Sequence, residues 1–340
     1  MVTSKHPVIP VLFLGFLVSI SYAETICVSN AAELIRIFNT TGARVDVDIE
    51  LTDNLDFSDA NTTLPLGAHS NGTCVPYSGI FRGNGHIIDG LKMDNKNNKG
   101  YNNAGLFCSL KGATIENLII GQSCSFNGQS TGALCVTIIG SLTVRNVVNQ
   151  AKVSGKDSVG GFIGSVSQNE NLDITVSNST NLGSVSGEYA SLGGFVGCLR
   201  KNTKISLLFI NSFNNGTISG SLQNGGFVGF VTGNTHLNIT ISQSKNNANI
   251  NKGQVLGGFI GSINKCDNVK LEVSQSVNNG NTNGNNCGGF IGDCSESEKV
   301  YIVFKSCANE GVHKGTGDSG GFIVSIQHST DVNISFFALS

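Results

Sequence analysis

Gly160-Gly161-Phe162-Ile163-Gly164 returns as GGFVG from Gly193, GGFVG from Gly225, GGFIG from Gly257, GGFIG from Gly288 and GGFIV from Gly320. The intervals are 33, 32, 32, 31 and 32 residues. Self-similarity at a fixed period of roughly 20 to 50 residues marks stacked units, not a single globular core. Two weaker copies, Ala104-Gly105-Leu106-Phe107 and Thr131-Gly132-Ala133-Leu134, put the start of the array near residue 100 or earlier.

Each copy has a second half. Runs such as Leu172-Asp173-Ile174-Thr175-Val176, Leu237-Asn238-Ile239-Thr240-Ile241 and Val300-Tyr301-Ile302-Val303-Phe304 alternate apolar and polar residues, then end in Asn/Gly-rich turns. Period-two alternation means strand. Short strands joined by turns and repeated with like residues in like places predict an all-β fold, a right-handed parallel β-helix with coils of about 32 residues. Phe162, Phe195, Phe227, Phe259, Phe290 and Phe322 should then form a buried ring stack. Asn149, Asn181, Asn214, Asn246, Asn278 and Asn309 should exchange amide hydrogen bonds from coil to coil. A further column holds Asn146, Asn178, Asn211, Gln243, Gln275 and Ser306, and another Val153, Val185, Ile218, Ile250, Thr282 and His313. On a straight strand the Phe and the following Ile or Val cannot both face inward, so one column should lie outside or under a corner. The paired glycines suggest such a corner.

Outward from the array, residues 30–38 (NAAELIRIF) predict a short amphipathic helix with Ser29 or Asn30 as N-cap, and residues 45–51 a strand. Segment 24–74 is therefore read as an N-terminal cap and 75–340 as the repeats. The last copy reaches Phe336-Phe337-Ala338-Leu339-Ser340 where its turn should begin, so either the chain is a fragment of a longer array or its open edge meets a partner, self-association being one such contact. Residues 1–23 read as a signal peptide: Lys5 and His6, an apolar stretch over 8–20, then Ser21-Tyr22-Ala23. No later stretch is apolar enough to span a membrane.

Gly makes up 44 of 340 residues and Pro only 4, with 13% charged, which favours a turn-rich array over a disordered chain. A net charge of -2 argues against nucleic acid as a partner. Ten cysteines behind a signal peptide predict an oxidising compartment and several disulfides. Cys108 and Cys135 fall in one register of the weak copies and could bond. Asn39, Asn61, Asn71, Asn178, Asn215, Asn238 and Asn333 are candidate N-glycosylation acceptors.

The run Gly79-Ile80-Phe81-Arg82-Gly83-Asn84-Gly85-His86-Ile87-Ile88-Asp89-Gly90-Leu91, the GGFIG elements and Asn214-Asn215-Gly216-Thr217-Ile218-Ser219-Gly220 resemble the GLUG-type β-helices of bacterial and protozoan surface proteins. The resemblance covers roughly residues 75–335. It implies a surface-exposed antigen or adhesin. This sequence shows no membrane anchor of the kind such proteins carry.

Parallel β-helices also carry polysaccharide lyases and hydrolases, whose chemistry needs converging carboxylates. Asp157, Glu170, Asp173, Glu188, Asp267, Glu272, Asp293, Glu296, Glu298 and Glu310 form no column in the aligned copies. Asp46, Asp48 and Glu50 lie together ahead of Asp53, Asp56 and Asp59; a calcium site is conceivable there, but a solvated strand edge accounts better for them. His86, in GNGHIIDG, reads as a turn residue because the glycines do not complete a phosphate-binding fingerprint. No catalytic, cofactor-binding or metal-binding set is assigned. The expectation is a secreted or cell-surface, non-enzymatic protein that binds extracellular glycans or proteins. A polysaccharide-active enzyme is the alternative, and a structural coat component a second one.

Overall fold

Alternating polarity makes each strand half buried, and Gly/Asn turns end it after a few residues. The computed structural model, which describes residues 24–39, 45–60 and 62–337, is a parallel β-solenoid of about 9 turns with one short helix. The signal peptide read at 1–23 and the acceptor Asn61 lie outside the described residues.

One coil shows the plan. Ile163–Ser167 lies in a first sheet, Glu170–Ser177 and Thr180–Asn181 in a second, Val185–Gly187 in a third and Ser191–Gly193 in a fourth. The four sheets hold 8, 18, 8 and 7 strands. Ile163 pairs in parallel with Val196, Leu172 with Ile205 and Val185 with Ile218, so one repeat is one coil. Leu172, Ile174 and Val176 face the interior while Asp173 between them is exposed. Burying each such side chain contributes about 1.5 to 3 kcal/mol.

The GGF unit is the corner between the fourth and first sheets. A Cβ on Gly160 would lie 1.9 Å from the Ile163 carbonyl oxygen, and one on Gly161 would lie 2.1 Å from that of Gly194. No side chain fits at either place. Phe162 and Ile163 are both fully buried, because the Phe sits in the bend and the Ile begins the next strand. Neither column is pushed outside. The Phe rings from Phe162 to Phe322 stack at 4.8–4.9 Å between centroids.

At the opposite bend the side chains of Asn149, Asn181, Asn214, Asn246, Asn278 and Asn309 form an unbroken amide ladder, each Nδ2 donating to the next Oδ1 at 2.8–3.0 Å. His313 closes the end of this ladder, contacting the Asn309 amide through Nε2 and the Thr282 hydroxyl through Nδ1. Asn146, Asn178, Asn211, Gln243, Gln275 and Ser306 are all left-handed, with φ between 46° and 52°. This column makes the turn itself, a conformation Asn tolerates better than most residues. A second ladder, buried except at its two ends, lies at the bend between the first and second sheets and is not legible as a column, because its residues change type: Asn169, Asn202, Asn234, Cys266, Ser297 and Ser329.

The helix runs Ala31–Asn39, with Asn30 as its N-cap: the Glu33 amide donates to Asn30 Oδ1 at 3.0 Å, and the Glu33 carboxylate accepts from the Ser29 amide at 2.8 Å. Its buried Leu34 and Phe38 cover the first coils, Phe38 meeting Tyr77 and Phe107 at 5.7 and 5.9 Å. The parallel ladder already begins at Thr25–Val28, which pairs with Asp48–Leu51. That second strand starts at Asp48 and not at residue 45, because the Val45 and Val47 carbonyls are engaged by the Ser78 amide and the Tyr77 hydroxyl.

The cysteines depart from the expectation of several disulfides. Among the described residues one bond forms, Cys74 to Cys108, and eight cysteines are free, Cys27 exposed and seven buried. Cys108 does not bond Cys135, because Cys135 pairs in register with Phe107, one residue away. Cys266 and Cys307 fill places that Asn or Ser takes in other coils, the Cys307 Sγ donating back to the Lys305 carbonyl as the Ser244 and Ser276 hydroxyls do to theirs, whereas Cys135, Cys287 and Cys294 take apolar places held by Ile163, Leu256 and Ile263 on an adjacent coil.

Candidate functional site

The outward column of the first sheet reads Ser109, Thr137, Ser165 and Cys198 on four successive coils. In the first of these coils it is roofed. Leu66 bridges to Phe107, the Tyr77 amide donates to the Ser109 carbonyl at 3.0 Å, and the Cys74–Cys108 disulfide pins the intervening loop onto the sheet. Ser109 is 1% exposed beneath this roof, and its hydroxyl has no hydrogen-bond partner.

Beyond the roof the sheet opens into a groove of about 550 Å³. Val136, Thr137, Ser165 and Ser167 come from the strands; Gly72, Tyr101, Asn103, Ser130 and the Cys74–Cys108 disulfide come from the irregular N-terminal coils; Asp157, Gln168, Arg200 and Lys201 complete the lining. Arg200 lies 3.6 Å from Asp157, with the two side chains 42% and 44% exposed. Such an open pair is held weakly, so both groups are available to a ligand. Lys201 projects from a left-handed corner, φ 54°. Burial pushes the Tyr101 phenol up to about 12, away from the range in which a group transfers protons near neutral pH. The groove therefore offers hydroxyls, amides and two cations across four coils, but a single carboxylate.

The acidic residues singled out by sequence are dispersed into contacts between coils. Asp48 is 8% exposed and accepts from the Ile80 amide and from Arg82, each at 3.0 Å, which corrects its reading as part of a solvated edge. Arg82 continues to Glu116 at 3.6 Å and Glu116 to Arg145 at 2.8 Å, an alternating charge ladder. Glu50 accepts from the Asn84 amide, and Asp46 stays exposed. His86 closes the turn built on Asn84 and Gly85, its amide donating to the Gly83 carbonyl at 2.8 Å.

Two carboxylate pairs do fall in register, against the expectation of scattered acids. Asp267 pairs with Glu298, with Lys299 at 3.5 Å from Asp267. Asp56 pairs with Asp89 beside a cavity of about 270 Å³. Asp89 accepts from the Ser123 amide and hydroxyl, and hydrogen bonds from the Ser58 side chain and backbone hold the Asp56 carboxyl below its ordinary range. Sequence missed this pair because the early coils differ in length: Ile49 and Phe81 are 32 residues apart, Phe81 and Ile115 34.

Among the described residues no group of three or more His, Cys, Asp or Glu is placed to hold a metal ion, and no helix is long and apolar enough to cross a membrane. The described acceptors Asn39, Asn71, Asn178, Asn215, Asn238 and Asn333 are all exposed. Asn238 and Asn333 share an outward column of the second sheet, and Asn178 and Asn215 sit at bends bordering that sheet.

No family model matches this sequence. A stretch of 148 residues is 33% identical to halomucin of Haloquadratum walsbyi; it covers 41% of this chain and 2% of that protein. The crystal structure of a protein from Bacteroides ovatus described as a candidate immunoglobulin A1 protease superposes with a TM-score of 0.54 at 17% identity, over 90% of this chain and 85% of that one. At that identity the likeness is one of fold.

Proposed function

We propose that this chain is a secreted or cell-surface repeat protein of the GLUG type that binds extended extracellular glycans or proteins along its first sheet without transforming them. The observation that carries the reading is the open groove lined from four successive coils, a run of about 14 Å at the parallel-strand spacing. An elongated ligand would make many weak contacts there, one set per coil. The signal-peptide pattern, the exposed glycosylation acceptors and the stretch shared with halomucin support an extracellular setting. Carbohydrate on Asn178, Asn215 and Asn238 would stand on or beside the second sheet, away from the groove, whereas Asn71 adjoins Gly72 at the groove's rim.

The test is binding of the purified protein to an array of neutral and acidic glycans and to immobilised matrix proteins. Retention that Arg200→Ala/Lys201→Ala weakens by about tenfold supports the reading; no retention on either support contradicts it. A polysaccharide-active enzyme is the second reading, favoured by the Asp56/Asp89 pair. Against it, the hydrogen bonds that keep Asp56 ionised leave it ill suited as a proton donor. Turnover of any polysaccharide, lost in Asp56→Asn or Asp89→Asn, would establish that alternative.

A further inference from the structure

The third sheet carries a second groove, of about 550 Å³, which the reading above does not use. Its outward column runs Asp94, Asn127, Ser154, Ser186, Ser219 and Asn251 on successive coils, a hydroxyl or amide at every level after Asp94, which accepts from the Asn127 side chain at 3.0 Å. Beside this column the coil turns at Gly155, Gly187 and Gly220, where an added Cβ would come within 2.9, 2.7 and 2.4 Å of neighbouring atoms. Those contacts are with interior groups such as Ala190 and Leu192, so the corner is held tight against the core beside a trough on the outer face.

Three lysines border it: Lys96, Lys156 and Lys252. None is ion-paired among the described residues, whereas Lys265, Lys299 and Lys305 on other parts of the coil each have a carboxylate within 3.6 Å. Lys156 donates to the Asn97 side chain at 3.2 Å, which holds it next to Lys96 at one end of the trough. Glu188 is the one carboxylate in the lining. The site is thus locally basic on a chain whose net charge is -2. Two further features suit a sugar. Tyr189, next to Glu188, is 71% exposed, the most exposed large aromatic or aliphatic side chain described. The Ser221 hydroxyl in the lining is buried without a partner.

We infer that this trough binds a linear acidic polysaccharide along the solenoid axis. The lysines face its carboxylate or sulfate groups, the Ser/Asn column meets its hydroxyls, and Tyr189 packs on a sugar face. From the level of Lys96 to that of Lys252 is five coil spacings, about 24 Å. That is long enough for several sugars, and the charge complementarity favours a polyanion over a neutral chain.

The experiment compares retention of the whole protein on immobilised heparin (sulfated), immobilised polygalacturonate (carboxylated) and dextran (neutral). Retention is expected on one or both polyanions and not on dextran, and the two polyanion arms tell sulfate from carboxylate recognition. Lys156→Ala/Lys252→Ala should weaken it by about tenfold or more and flatten its dependence on NaCl. Tyr189→Ala should weaken it by about fivefold and leave the salt dependence alone. A charge-matched control, Lys265→Ala/Lys270→Ala, should do neither. No retention on either polyanion, equal retention on dextran, or insensitivity to the lysine variants would overturn the inference. Displacement by single-stranded DNA as readily as by polygalacturonate would also overturn it, assigning the trough to nucleic acid. Because the trough is on the third sheet, these outcomes do not decide whether the first-sheet groove binds.

Discussion

The coils up to about residue 134 and those after it use the same backbone plan for different ends. From Leu142 onward the Phe and Asn columns repeat from coil to coil, with aligned strands 31 to 33 residues apart. Earlier coils are uneven, hold a disulfide, and replace the continuous ring stack by a mixed cluster in which Tyr77 stacks on Phe107 while Phe38 and Phe81 meet Phe107 edge-on. The regular part is stabilised by repetition, each residue supported by its likeness above and below. The irregular part is stabilised by particular contacts, and the same irregularity roofs one coil of the first sheet and leaves the next open. Scaffold and site thus come from different degrees of regularity in one fold.

That division can be strained most severely with alkali. Burial pushes the thiols of Cys198 and Cys294 in the regular coils from 9.0 to about 11 and about 12. A thiol raised in the folded state stays protonated there while the unfolded chain ionises, so its stabilising effect is full below pH 9 and is lost as pH climbs toward the folded value. Between pH 8 and pH 11 each should cost about 2 kcal/mol, seen as a falling urea midpoint. Cys198→Ser/Cys294→Ser should lessen the fall. Next in size, Phe227→Ala should destabilise the chain by about 4 kcal/mol, because it removes a ring held between Phe195 and Phe259 and leaves a cavity both neighbours line. In the uneven coils the comparable test is Cys74→Ala/Cys108→Ala, which opens a loop with a sequence separation of 34. A loss of about 3 kcal/mol is expected, and weaker ligand retention should accompany it, since the roof over Ser109 loosens. Phe227→Ala should spare retention at permissive temperature; if the two variants behaved alike, the division between scaffold and site would fail. Smaller again, Asn214→Ala leaves the Asn181 donor and the Asn246 acceptor short of a partner and should cost about 2 kcal/mol by thermal denaturation.

Repetition also decided what could be read in advance. The Phe and Asn columns were legible because identity at a fixed spacing survives any uncertainty about where strands begin. The ladder from Asn169 to Ser329 was not, since Asn, Cys and Ser serve one backbone-bonding role and sequence comparison sees three residue types. Cys108 illustrates the same limit: a one-residue difference in register sends its side chain to Cys74 and not toward Cys135. The groove depends on where the loops carrying Gly72 and Tyr101 fold back, and no period announces that.

The most direct measurement takes a glycan retained in the array experiment, cuts it to graded lengths, and follows binding by titration calorimetry while mass spectrometry follows the ligand. The account predicts that affinity rises with length until the oligosaccharide spans the coils between Thr137 and Lys201, that Arg200→Ala/Lys201→Ala abolishes the rise, and that the ligand is recovered at unchanged mass. Length-independent affinity, or a shortened or unsaturated product, would contradict it.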